Sequence, residues 1–77
     1  MVSIVKLELT DQIARYRYFP ENSKKSGIVA LNRRTGERDL EKKIDGYGNN
    51  YAAHALRRIE EYQEKGNFLE KDVVVWY

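Results

Sequence analysis

The chain has one histidine, His54. Nucleophilic catalysis would need it beside a Ser or Thr and an orienting carboxylate, but Ser3, Ser23 and Ser26 stand in no such motif. Carboxylates for acid–base work would come from Glu37, Asp39 and Glu41 or from Glu60, Glu61 and Glu64. Both sets are interleaved with Lys and Arg, as on a solvated face. With no Cys and a single His, the ligand set of a zinc site is missing. Asp45-Gly46-Tyr47-Gly48-Asn49-Asn50 precedes a helical stretch, where free N–H groups can hold an anion. It lacks the Lys of a Walker loop and the third Gly of a dinucleotide fingerprint. Tyr47 and Leu56 stand where a calcium loop places Asp or Asn and Glu. The expectation is a turn and an N-cap: no enzyme, no cofactor, no metal and no small-molecule substrate.

Charge is unevenly spread. Residues 15–43 hold nine basic against four acidic residues, a net +5 in a chain of net +2. Arg15-Tyr16-Arg17-Tyr18-Phe19 interleaves guanidinium and aromatic groups on a strand. Surfaces that bind single strands combine phosphate contacts with base stacking in this way. A nucleic-acid site would therefore comprise Arg15, Arg17, Phe19, Lys24, Lys25, Arg33 and Arg34. Strand parity sends Tyr16 and Tyr18 to the core and leaves Phe19 beside the two arginines, with Glu8 opposing the field. A solvated face with cross-strand ion pairs is the competing reading.

Those residues need a sheet to carry them. Val2 to Leu9 alternates, with Val5, Leu7 and Leu9 against Lys6 and Glu8, and Ile4 on the polar side. Ile13 to Phe19 alternates again. A two-residue turn at Asp11-Gln12 sets Glu8 opposite Arg15, Lys6 opposite Arg17 and Leu7 opposite Tyr16. A turn at Thr10-Asp11 keeps the same faces. Pro20 closes the second strand. Gly27 to Arg33 and Arg38 to Ile44 form a second hairpin around Thr35-Gly36, with Leu40 opposite Leu31 or, through a bulge, opposite Ala30. From Tyr51 to Lys65 the period is helical: Ala52, Ala55, Leu56, Ile59 and Tyr62 share one arc, Asn49 or Asn50 caps the start, and Gly66 ends it. Val73 to Tyr77 is apolar on both parities, which suits a strand covered on both faces, central or shared with a partner.

The expected fold is α+β: a four- to five-stranded, mostly antiparallel sheet with one α-helix on one face, in the order ββββαβ, as a single domain over 1–77. At 77 residues and 9.1 kDa, with 42% hydrophobic and 34% charged residues, the chain can build one core and no more. Its longest apolar run is far below a membrane span of about 20 residues, and a cytoplasmic location is expected. No stretch carries a motif specific to a family. One helix leaves one sheet face uncovered, so a small binding module that pairs as a homodimer is the first functional expectation. Ile4, Ile13, Phe19, Val74 and Trp76 would form its contact surface. Nucleic-acid binding is the alternative.

Overall fold

The computed structural model describes residues 1–76. Five strands and one helix follow in the order β1 (Val2–Leu9), β2 (Ile13–Pro20), β3 (Gly27–Asn32), β4 (Arg38–Lys42), α1 (Asn50–Lys65) and β5 (Lys71–Val74). All pairings are antiparallel, and the sheet order is β4-β3-β2-β1-β5. The helix lies across one face and buries Ala52, Ala55, Leu56, Ile59 and Tyr62, the arc its period specifies. Beneath it the sheet supplies Val2, Ile4, Ala14, Tyr16, Tyr18, Val29, Leu31 and Val74. Gly66 takes the left-handed conformation that ends the helix, with Asn67 donating its N–H to the Tyr62 carbonyl (3.1 Å). Asn49 occupies the N-cap position, but its side chain accepts no capping hydrogen bond.

The two-residue turn at Asp11-Gln12 forms as expected: Thr10 donates its N–H to Ile13, and Glu8 stands opposite Arg15. The rest of β1 departs from simple alternation. A bulge at Leu7 shifts the register, so Lys6 pairs with Tyr16, Val5 with Arg17 and Ile4 with Tyr18. Cross-strand partners share a face, so the bulge reverses the expected parity over the first half of β1. Val2 and Ile4 are fully buried under the helix, Leu7 is 42% exposed, and Val5 joins the opposite face. Leu9 keeps its expected side, paired with Ala14.

The second hairpin adopts neither expected register. Leu31 pairs with Arg38 and Val29 with Leu40, around a four-residue loop from Arg33 to Gly36. The Asn32 side chain builds that loop, accepting the N–H groups of Arg34 (2.9 Å) and Thr35 (3.1 Å). Gly27 sits where β2 and β4 crowd β3. A Cβ there would collide with the Tyr18 ring and the Lys42 carbonyl oxygen. β5 is an edge strand rather than a central one. Val74 is buried, whereas Val73 and Val75 are half exposed. Of the expected strand Val73 to Tyr77, Tyr77 lies outside the described residues.

Candidate interaction surface

Pairing fixes what each sheet face carries. The face away from the helix displays Ser3, Val5 and Glu8 from β1, and Ile13, Arg15, Arg17 and Phe19 from β2. It also displays Ile28, Ala30 and Asn32 from β3, Asp39 and Lys42 from β4, and Lys71 and Val73 from β5. Arg15 and Arg17 thus face away from the helix while Tyr16 and Tyr18 pack beneath it, as strand parity requires. Val5, Ile13, Phe19 and Ile28 are half-buried by their neighbours alone. Ala30, the smallest of these, floors a depression of about 170 Å³ walled by Ile13, Asn32, Glu37 and Asp39.

Arg15 lies at the centre of this face and is fully engaged. It grips Glu41 with two hydrogen bonds (2.6 and 3.0 Å) and also pairs with Glu8. A second bulge, between Ile28 and Val29 of the β3–β4 pairing, brings Glu41 within reach. The hydrogen bonds from Arg15 hold the Glu41 carboxyl below the usual carboxylate range. Arg17 donates to the Ser26 hydroxyl (3.1 Å). The face therefore carries four cations (Arg15, Arg17, Lys42, Lys71) against three carboxylates (Glu8, Asp39, Glu41), a near balance.

The residues expected to form one nucleic-acid site are dispersed. Arg33 turns towards the helix, donating to Gln63 (2.9 Å) and the Thr10 carbonyl (2.6 Å) with its guanidinium over the Phe68 ring. Arg34 occupies the β3–β4 loop, at the end of the sheet opposite Lys24 and Lys25. Arg15 is neutralised. Among the residues expected to mediate self-association, Ile4 and Val74 belong to the core and cannot line a free surface. The bulge displaced Ile4; antiparallel pairing with Val2 turned Val74 inward. Ile13 and Phe19 do lie on the open face. Trp76 sits apart, its ring stacked on His54 (3.8 Å between centroids, 10° between planes) and edge-on to Tyr51. Val5, Ile28 and Val73 also lie on the open face: the β1 bulge puts Val5 there, and regular pairing with Arg17 and Ser3 puts Ile28 and Val73 there.

A cleft of about 590 Å³ runs between α1 and β5, with Arg58, Glu61, Tyr62, Lys65, Leu69 and Asp72 among its walls. Its polar centre is already occupied. Asp72 accepts hydrogen bonds from Arg58 (2.7 Å), the Tyr62 hydroxyl and the Val73 N–H (2.8 Å). Burial pushes the Asp72 carboxyl up, yet the bonds from Tyr62 and Arg58 outweigh it and hold the group low. Burial, with the bond to Asp72, raises the Tyr62 phenol. Nearby, Tyr16 donates its hydroxyl to the Leu69 carbonyl (2.6 Å), and burial pushes its phenol up to about 12. These groups clasp β5 to the helix, and the remaining charged walls, Glu61 and Lys65, are exposed helix residues.

Among the described residues, no group of three or more His, Asp or Glu is placed to hold a metal ion, and no helix is long and apolar enough to cross a membrane. No protein-family model, curated protein or solved structure matches the chain.

Proposed function

We propose that this chain is a small, non-catalytic interaction module that pairs with a second copy of itself through the open face of its sheet. The observation that carries this reading is the composition of that face. Half-buried Val5, Ile13, Phe19 and Ile28 and exposed Val73 surround a self-neutralised Arg15, and the total charge is nearly balanced. A nearly balanced face suits a copy of itself, since little net charge opposes the approach of two copies, whereas a polyanion would meet Glu8, Asp39 and Glu41.

The area is of the right order. Five strands about 4.8 Å apart span about 19 Å between the outer axes, and strands of four to eight residues extend about 20 Å on average. The resulting plan area, about 400 Å², underlies a larger accessible area and is about half of the roughly 800 Å² per partner of a standard interface. Sheets packed face to face bury such surfaces readily.

Sedimentation from micromolar to millimolar concentration tests the reading. The expected result is a shift from 9.1 kDa towards twice that mass, abolished by Ile28→Glu and weakened by Val73→Glu. Val73 is half exposed in the single chain, so its substitution does not threaten the fold. A 9.1 kDa species at every concentration would overturn the proposal.

A further inference from the structure

Four of the cations that no carboxylate engages among the described residues gather at one corner of the sheet, and we infer that this corner, formed by Lys24, Lys25, Lys42 and Lys43, binds the phosphodiester backbone of a nucleic acid without regard to sequence. Lys24 and Lys25 lie in the loop between β2 and β3, and Lys42 and Lys43 lie at the end of β4. Pairing brings these segments together. Lys42 stands opposite Ile28, only three residues beyond Lys25. The approach is tight because Gly27 lets β3 run against the Lys42 carbonyl and the Tyr18 ring.

All four lysines are exposed, and none takes part in an ion pair among the described residues. That contrasts with Arg15, Arg38 and Arg58, each held by a carboxylate. Of the nearby acids, Glu21 lies 2.7 Å from the Met1 amino group and Glu41 is taken by Arg15, leaving Asp45 as the exposed counter-charge. Arg17, anchored on Ser26 of the same loop, adds a fifth cation at the margin. The loop from Glu21 to Ser26 contains no apolar side chain to enter a lipid layer, which favours a nucleic acid over an anionic membrane. The four lysines present point charges rather than planar forks that match base edges, so contacts to phosphate dominate.

Neutralising about four phosphates on a single strand gives a slope near −2.8 in log affinity against log salt, or about a 50-fold loss between 50 and 200 mM. The test compares the full chain with two variants of equal net charge, using anisotropy of a short fluorescein-labelled single-stranded oligonucleotide of mixed sequence. In one variant Lys24, Lys25, Lys42 and Lys43 become Gln; in the other Arg34, Arg57, Lys65 and Lys71 do. The corner variant is expected to lose binding at least tenfold more than the dispersed variant, with circular dichroism confirming both folds. Equal losses would reduce the effect to net charge and overturn the site. So would absence of binding by the wild-type chain at low salt, or equal affinity for phosphatidylserine vesicles.

Discussion

The two faces of the sheet are built from the same five strands by different means. The covered face is filled by Tyr16, Tyr18, Val29 and Leu31 against Ile59 and Leu56, all nearly inaccessible to water. The open face rests on half-buried aliphatics and on the Arg15–Glu8–Glu41 cluster. Stability resides on the first face, because burial of apolar area is the main favourable contribution to folding. Exposed ion pairs such as those of Arg15 add about 0–1 kcal/mol. The second face is thus free to vary in chemistry without unfolding the molecule, which is the condition for a working surface.

Substitutions can break or sharpen this contrast. Ile59→Ala on the covered side should cost about 2–5 kcal/mol in urea unfolding, through lost burial and the cavity left behind. A cost below 1 kcal/mol would mean that the helix is not the main cover. Gly27→Ala should cost about 1–3 kcal/mol, since the new Cβ forces the Tyr18 ring or the β4 backbone to move. The smallest effects concern the two low-titrating carboxylates. Asp72→Asn should cost about 1–2 kcal/mol at pH 7, because it weakens the bonds from Arg58 and Tyr62, whereas Glu41→Gln should cost less than about 1 kcal/mol. Both carboxyls titrate lower in the folded chain than their ordinary values. Their contribution is therefore present above the usual carboxylate range and lost as pH falls through the depressed values. Replacing Asp72 should flatten the acid limb of stability against pH more than replacing Glu41. Equal flattening would put the two sites on the same footing.

Much of the fold was legible because periodicity reports burial. The helix arc, its glycine stop, the Asp11-Gln12 turn and the inward Tyr16 and Tyr18 all follow from local pattern. Bulges defeat that logic. Leu7, as an extra residue, gives β1 two parities, so Val2 and Ile4 pack inward although Val5, Leu7 and Leu9 show the cleaner alternation. The β3–β4 register depended on the Asn32 side chain taking over the loop, a choice that Thr35-Gly36 did not announce. For the basic surface, composition placed Arg15, Arg33 and Arg34 with the lysines. Only tertiary pairing shows that Glu41, Gln63 and the Thr10 carbonyl engage two of them.

The Asp72 carboxylate has one more effect. In the β1–β5 ladder Lys6 donates to the Glu70 carbonyl, and the antiparallel alternation then turns the Val73 N–H towards open solvent at the sheet margin. Asp72 satisfies that donor from within the chain, while the far margin, β4, is charged and bulged. With both rims blunted, growth strand by strand into ribbons or fibrils is discouraged. The pairing proposed for the broad surface would close at two subunits instead.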